Sequence, residues 1–242
     1  MTPRQLHDLF RTQIADTIEP FLFSKDEIYE YMTDAQRMLT RFTEGIPDAS
    51  SPDVTCLEFG PEEEFAVMSP LVLFIRGASR ASDRREIEVL NIEDFRYGTG
   101  GLTIDHDYLP GLAGPNAGFS DTLTWRDKRG PQINAIILGM ERNKARAFPI
   151  CTTGETIKIE VYRLPRGELT EQKNCHFEVD EQHHRHLLLW MKSLGYAKQD
   201  VDIRDDKKAA SYEEQFMAYC DKAKREQGRA KHKPRTVLYG GI

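Results

Sequence analysis

The sequence predicts an α+β fold in which the N- and C-terminal helices form a four-helix bundle. An antiparallel β-sandwich or barrel-like domain is inserted between the two halves of the bundle, and an extended arm follows. The prediction rests on helical hydrophobic periodicity at both ends of the 242-residue chain and on strand-like runs between them. The predicted segments are 1–48 and 180–228 for the bundle, 54–165 for the β-domain and 229–242 for the arm.

The composition is that of a globular protein, with 39% hydrophobic and 30% charged residues. No run approaches the roughly 18 apolar residues of a membrane helix, and the N-terminus lacks the apolar centre of a signal peptide. We therefore expect a cytoplasm-like compartment. No two cysteines are closely spaced, which favours free thiols over a redox or metal motif. They are Cys56, Cys151, Cys175 and Cys220.

Two amphipathic helices are predicted before the β-domain. The first spans residues 3–18, with Thr2 as its cap and Pro3 in its first turn. The second begins with the capping-box spacing Ser24-Lys-Asp-Glu27. Its apolar face follows the helical period. The residues of that face are Ile28, Tyr31, Met32, Ala35, Met38, Leu39 and Phe42.

Eight short runs predict the strands of the β-domain. The most regular lies within 156–164, where Ile157-Lys-Ile-Glu-Val-Tyr-Arg-Leu alternates inward and outward residues. Tyr97–Ser120 is rich in Gly and Pro and predicts a long irregular loop. The other runs are 54–59, 65–68, 71–78, 86–90, 122–125, 133–140 and 144–149.

Two further helices are predicted after the β-domain, over 180–198 and from about 205 to 227. Their apolar faces provide partners for the two N-terminal helices, which expose stripes that they cannot bury alone. The order of elements therefore predicts one bundle interrupted by an inserted domain. The predicted bundle core is Leu6, Phe10, Ile28, Met32, Leu39, Leu187, Trp190, Leu194, Tyr212 and Phe216.

The charge distribution is uneven. Residues 222–242 contain seven Lys or Arg and one Glu, whereas the whole chain has a net charge of −6, so the other 221 residues carry −12. An acidic body with a basic tail favours self-association or an acidic partner. A nucleic-acid arm would interleave stacking aromatics, and only Tyr239 qualifies, so we favour protein docking. The docking residues are Arg229, Lys231, Lys233, Pro234, Arg235, Thr236, Val237, Leu238 and Tyr239.

No residue pattern predicts a catalytic, cofactor or metal site. His183-His184-x-His186 places at most two imidazoles on one helical face, which is too few for a typical metal site. The carboxylates of Asp26, Glu27 and Glu30 are explained by their place in the first turns of a helix. Gly98–Gly101 and Asp105–Asp107 lack the partners of a phosphate loop or a catalytic triad.

Three parts of the chain together resemble the head-to-tail adaptor (connector) proteins of tailed bacteriophages. The N-terminal part runs from Leu6 through the aromatic-rich turn before Ser24 to Asp34-Ala-Gln-Arg37. The second part is Ala147-Phe-Pro-Ile followed by the strand-like run ending at Pro165. The third comprises Leu189-Trp190, Tyr196-Ala-Lys-Gln-Asp-Val-Asp202 and Ala209 with Tyr212-Glu-Glu-Gln-Phe216. Tyr97–Ser120 has no counterpart in the family's pattern.

The resemblance implies a structural virion protein without enzymatic activity. Such a protein forms a ring of twelve subunits that binds the portal, extends the DNA channel, and receives the tail or next neck protein. It would be assembled in the host cytoplasm and remain at the neck of the virion, with viral DNA passing through without sequence-specific binding. The arm would dock on the portal.

The residues alone are also compatible with two other classes of protein. The β-domain could be a binding module, for example for glycans, with Trp125 or Tyr108 as an exposed platform. Less favoured is a metal enzyme using the three histidines of residues 183–186.

Overall fold

The chain forms two compact units. The helical unit contains Met1–Ile46 and the described residues from Leu164 onward, and the β-unit contains the described residues of Pro47–Arg163. The predicted α+β class is confirmed. The structure, a computed structural model, describes residues 1–93, 126–172, 175–199 and 204–231.

The helices differ greatly in length. They are α1 (Pro3–Gln13), α2 (Lys25–Phe42), α3 (Pro52–Thr55), α4 (Glu181–His184), α5 (Leu187–Ala197) and α6 (Asp206–Lys231). At 1.5 Å per residue, α1 with 11 residues is about 16 Å long, whereas α6 with 26 residues is about 39 Å long. Helices of such unequal length do not line up along their whole lengths, and the structure does not show a four-helix bundle.

The first helix is shorter than the predicted span of 3–18. Its start follows the sequence, because Thr2 forms a capping box with Gln5. It ends at Gln13, and Ala15 adopts a left-handed backbone with φ of 62°. Ile18 therefore lies outside the helix, in the connection to α2.

The bounds of the two C-terminal helices also differ from those predicted. The span 180–198 is divided into α4 and α5, with Arg185 and His186 between them. The last helix continues to Lys231 rather than ending near residue 227. Arg229 and Lys231, predicted to belong to the extended arm, are therefore helical. The remaining arm residues, 232–242, lie outside the described residues.

The core of the helical unit joins the two ends of the sequence. Its largest buried side chains come from α1, α2, α5 and α6 and from the segment before Ser24. Leu169 adds a contact from the segment after the β-unit, and its N–H donates to the Thr33 hydroxyl at 2.9 Å. The buried residues are Leu6, Phe10, Phe23, Ile28, Tyr29, Met32, Ala35, Leu39, Leu169, Leu187, Leu188, Met191, Phe216 and Cys220.

The strands of the β-unit fall largely where hydrophobic alternation predicts them. They are β1 (Ile46–Asp48), β2 (Cys56–Phe59), β3 (Phe65–Val67), β4 (Val72–Arg80), β5 (Glu86–Asn91), β6 (Arg129–Gly130), β7 (Ala135–Leu138), β8 (Lys144–Phe148), β9 (Ile150–Cys151) and β10 (Glu155–Arg163). The predicted run 122–125 lies outside the described residues.

The main sheet is curled and open, a half-barrel rather than a sandwich or closed barrel. Its strand order is β1-β10-β4-β5-β7-β8-β3, and β2 also pairs with β10. The pairing of β5 with β7 is parallel, so the sheet is not purely antiparallel. Strands β6 and β9 form a second, two-stranded sheet.

The inner side of the half-barrel is filled by apolar side chains from β2, β3, β4, β7, β8 and β10. Ile157, Ile159 and Val161 of β10 are at most 2% exposed, as the alternation of that strand predicts. A buried ion pair lies at the end of this strand, where Arg163 Nε donates to Asp48 Oδ2 at 2.6 Å.

All four cysteines are free thiols, two of them buried. Burial raises the pKa of the Cys220 thiol to about 12, which keeps it protonated and unreactive at neutral pH. Among the described residues, no helix combines the length and apolar character that crossing a membrane requires.

Candidate interaction site

The connection between α1 and α2 carries the most exposed large apolar side chain among the described residues of the helical unit. Ile18 is 80% exposed, and Phe21 and Leu22 are 43% and 45% exposed. We call residues 18–22 the apolar turn. Side chains of this kind are normally buried, so a cluster of three on one turn marks a candidate contact surface.

A buried ion pair holds the apolar turn in place. Arg11 of α1 donates to the Asp16 carboxylate at 2.5 Å and to the backbone carbonyl of Phe23 at 2.9 Å. The same carboxylate accepts the N–H groups of Leu22 at 2.8 Å and Phe23 at 3.3 Å. The guanidinium of Arg11 also lies 4.2 Å from the centre of the Phe21 ring. The turn is thus tied to α1 through side-chain and backbone groups.

An open groove of about 260 Å³ lies beside the turn. Cation–aromatic contacts lie in and next to its walls. Lys208 Nζ lies 5.2 Å from the centre of the Tyr196 ring, and Lys198 Nζ lies 4.8 Å from that of Phe23. We call this space the turn groove. Its described lining residues are Ile14, Leu22, Phe23, Gly195, Tyr196, Arg204, Asp205 and Lys208.

The β-unit has its own exposed apolar surface on β4. Leu73 is 43% exposed and Phe74 is 62% exposed, although neighbouring residues of a regular strand point to opposite faces. The register explains this, because Tyr162 pairs with Phe74 while Arg163 pairs with Val72, so Leu73 is an extra residue at a β-bulge. The Phe74 ring lies 6.4 Å from that of Tyr162. We call Leu73 and Phe74 the strand ridge.

The structure places the residues of the predicted bundle core at different depths. Leu194 and Tyr212 are only partly buried, and the Tyr212 ring stacks on Tyr196 at 5.8 Å between centroids. Trp190 is also partly buried but packs against the core. The fully buried members are Leu6, Phe10, Ile28, Met32, Leu39, Leu187 and Phe216.

Distant motifs of the sequence meet at Trp190. Its indole N–H donates to the Asp34 carboxylate of α2 at 2.7 Å, and its ring lies 5.1 Å from that of Phe216 in α6. Next to Asp34, the Gln36 side chain accepts the backbone N–H of Glu178 at 2.9 Å. The Asp-Ala-Gln-Arg segment, the Leu-Trp segment and the last helix are therefore parts of one packed region.

The arm is described only at its beginning. Arg229 is exposed in the last turns of α6, and α6 continues through Lys231. Trp125 and Tyr108, the platform of the glycan alternative, and the segments Gly98–Gly101 and Asp105–Asp107 lie outside the described residues. So do the other docking residues, which are Lys233, Pro234, Arg235, Thr236, Val237, Leu238 and Tyr239.

The three histidines near α4 each contact other parts of the helical unit. His183 Nδ1 lies 2.7 Å from the Tyr219 hydroxyl, and the His186 ring stacks on the Tyr219 ring at 3.6 Å. The ring nitrogens of His184 lie 3.0 Å from the Met1 carbonyl oxygen and 2.9 Å from that of Val179. In the part of the chain that the structure describes, no three His, Cys, Asp or Glu side chains are grouped to hold a metal ion.

The carboxylates at the start of α2 are also explained by structural contacts or by their position in the helix. Glu27 accepts hydrogen bonds from the Tyr31 hydroxyl at 2.7 Å and from Lys198 at 2.8 Å. Burial acts to raise the pKa of Glu27, but these hydrogen bonds outweigh it and the pKa falls below its ordinary value. Asp26 lies in the first turn of α2, where a negative charge is favoured by the helix dipole, and Glu30 is exposed one turn later.

His183 is expected to make the helical unit sensitive to mild acid. Burial lowers the pKa of His183, so the unfolded chain binds this proton more readily than the folded chain. The stabilisation is fully present above the ordinary pKa of about 6.5 and is lost as the pH falls below it. We expect the free energy of unfolding to fall by up to about 1.4 kcal/mol per pH unit on this account.

The measurement is urea unfolding of the full chain between pH 7.5 and 5. His183→Asn should reduce the dependence on pH, whereas the same change at the exposed His176 should leave it unaltered. Identical pH profiles for the His183 variant and the unmodified chain would contradict the assignment.

The apolar turn and the strand ridge are not predicted by the sequence alone. Ile18 fits the helical period of the first predicted helix, so the sequence predicts it as a core position. In the structure the helix ends before Ala15 and Asp16, and Ile18 is exposed instead. The signal available is Asp16 followed by Pro20 and two aromatics, a combination typical of a turn. On β4, the adjacent Leu73 and Phe74 break the strand alternation, which is the only sign of the bulge.

The described residues define an α+β protein with a helical unit, a half-barrel unit and two exposed apolar surfaces. No family model and no curated protein matches the sequence.

Proposed function

We propose that the protein is a head-to-tail adaptor of a tailed bacteriophage, a structural virion protein that binds the portal and receives the tail or next neck protein. One observation carries the proposal. The N-terminal and C-terminal segments that resemble the adaptor family are 156 residues apart at Asp34 and Trp190, yet these two side chains share a hydrogen bond. This contact supports the proposal, because it brings two of the segments that resemble the family into one packed region.

The proposed assembly is a ring of twelve subunits that extends the DNA channel. The helical units would pack side by side around the ring as bundles, and loops of the β-unit would face the tail. Outside residues 222–242 the chain carries a charge of −12. An acidic channel lets DNA slide during ejection, because it offers few cations to hold the phosphates. The proposal includes no catalytic reaction, cofactor or metal.

The arm is the proposed portal-binding element. Its sequence combines basic residues with the strand-like Thr236-Val-Leu-Tyr, so it suits an acidic groove or the edge of a sheet. Truncation after Lys231 removes residues 232–242 of the arm and retains the described residues of α6. We expect at least a tenfold loss of binding to immobilised portal from the same viral genome, with an unchanged far-ultraviolet circular dichroism spectrum.

A matched control changes charge without removing the arm. Lys222→Ala with Lys224→Ala removes two exposed basic residues from α6 and should retain portal binding. Normal binding by the truncated chain would show that the arm has another role. If the full chain also fails to bind, and negative-stain images show no ring stacked on the portal, the adaptor proposal is wrong.

A further inference from the structure

We propose that His184 is a pH-sensitive clamp, which carries a proton on both ring nitrogens in the folded chain and thereby holds the N-terminal segment on α4. The N-terminal segment is Met1 and Thr2, which precede α1. The clamp lies entirely within the helical unit. It goes beyond the proposed adaptor function and does not depend on it.

Both ring nitrogens of His184 face hydrogen-bond acceptors. Nδ1 lies 3.0 Å from the carbonyl oxygen of Met1, and Nε2 lies 2.9 Å from that of Val179. A carbonyl oxygen accepts hydrogen bonds and donates none, so each contact needs an N–H on the histidine ring. A neutral imidazole has one N–H, whereas the imidazolium ion has two. The doubly protonated ring is therefore the form that satisfies both contacts.

The neutral ring would leave one of these contacts without a proton. A ring nitrogen and a carbonyl oxygen would then face each other with their lone pairs, which repel. His184 is only 8% exposed, so water has little access to supply the missing hydrogen bond. A buried polar group that loses its partner destabilises the fold. Loss of the proton therefore weakens the attachment of the ring to either Met1 or Val179.

Two neighbouring groups also favour positive charge on the ring. The centre of the Phe177 ring lies 4.3 Å from that of the His184 ring, and the electron-rich face of an aromatic ring attracts cations. The Glu181 carboxylate interacts electrostatically with His184. A nearby negative charge stabilises the imidazolium ion.

Other effects around the ring oppose the charge. Burial disfavours the imidazolium ion, and the amino group of Met1 and the ring of His183 are possible cations nearby. The amino group is paired with Glu181 at 2.6 Å, which offsets its charge. Burial lowers the pKa of His183, which keeps that ring neutral at pH 7. Asp180, the first residue before α4, adds a negative charge on the same side.

The other titratable groups of this region act on other residues. On α6 they are Tyr219, Lys222 and Glu226, whose contacts and charges act on the histidines before and after position 184. Glu178 accepts hydrogen bonds from the backbone N–H groups of residues 166–167. The two carbonyl contacts therefore determine the protonation state of the clamp.

The clamp is expected to weaken as the pH rises. An exposed histidine loses its second ring proton near pH 6.5, whereas the folded chain retains the proton of His184 to higher pH because both N–H groups are used. The stabilisation by the clamp is thus fully present below about pH 6.5 and is lost as the pH rises above it. The sign is opposite to that of the neighbouring His183, which stabilises the neutral state.

Nitrogen-15 NMR of the histidine rings in the full-length chain at pH 7.5 tests the protonation state directly. We expect two ring N–H signals and imidazolium nitrogen shifts for His184, and the shifts of a neutral ring for the exposed His176. His184→Gln and His176→Gln identify the two sets of signals by removing them. If His184→Gln does not fold, cross-relaxation with the Phe177 ring identifies the His184 signals in the wild type. A single ring N–H on His184 at pH 7.5 overturns the proposal.

Urea unfolding between pH 6 and 8.5 tests the effect on stability. Relative to His184→Gln, the unfolding constant of the wild type should increase with pH by up to about tenfold per pH unit, the limit for one proton. His176→Gln is the matched control and should follow the wild type, because His176 is exposed. The clamp is refuted if the wild type and His184→Gln have the same dependence on pH.

Discussion

Replacing Asp16 with alanine is expected to destabilise the helical unit by about 3–5 kcal/mol. The side chains of Asp16 and Arg11 are 1% and 10% exposed, so the change would leave a buried guanidinium without its carboxylate. It would also remove the acceptor for the N–H groups of Leu22 and Phe23. Urea unfolding of the full chain, followed by circular dichroism at a helix-sensitive wavelength, measures the loss.

Asp8→Ala is the control, because Asp8 lies in the same part of the chain but its side chain is 68% exposed. An exposed ion pair contributes at most about 1 kcal/mol, so this variant should stay close to the wild type. Replacing both Arg11 and Asp16 by apolar residues should cost less than Asp16→Ala alone, since no buried charge then remains. Equal stability of Asp16→Ala and Asp8→Ala would contradict the role given to this ion pair.

Asp48→Ala is expected to destabilise the β-unit by a similar amount, about 3–5 kcal/mol. Asp48 and Arg163 have side chains 5% and 7% exposed, and the Asp48 carboxylate also accepts the N–H groups of Ser50 and Ser51. Burial acts to raise the pKa of Asp48, but hydrogen bonds from Arg163 and Ser51 outweigh it and hold the pKa well below its ordinary value.

The sign of the pH effect follows from that lowered pKa. Stabilisation by Asp48 is present above the ordinary carboxyl pKa of about 3.9 and is lost as the pH falls from there toward the lower pKa of the folded state. Asp48→Asn should therefore flatten the decline in stability below about pH 4. The exposed Glu58 of β2 provides the control through Glu58→Ala, which should change stability little. An Asp48→Ala variant as stable as this control would refute the assignment.

Local patterns predict individual elements well. Ser24 accepts the N–H of Glu27 at the start of α2, as the capping-box spacing indicates, and β10 alternates as its sequence does. These features depend on residues a few positions apart, where sequence and geometry are directly linked. The α+β class and the presence of a β-rich insertion follow from them.

Features that depend on contacts between residues far apart in the sequence are harder to predict from it. The parallel pairing of β5 with β7 joins residues more than 40 positions apart, and no local pattern distinguishes a half-barrel from a sandwich. The apolar turn depends on competition between helix propagation and the Asp16 carboxylate, which binds backbone groups of a later segment. The strand ridge depends on a register shift between β4 and β10. Hydrophobic periodicity alone does not determine these contacts between distant residues.

The division of the helical unit between the two ends of the chain has a consequence for biosynthesis. Helix α2 is complete at Phe42, whereas its partner α5 begins at Leu187, 145 residues later. At about 5–20 residues per second, the ribosome needs roughly 7–30 s to cover that interval. During this time the β-unit, whose chain is continuous, is fully synthesised, while α1 and α2 expose apolar faces that are covered only once Leu169 and the last quarter of the chain have been made.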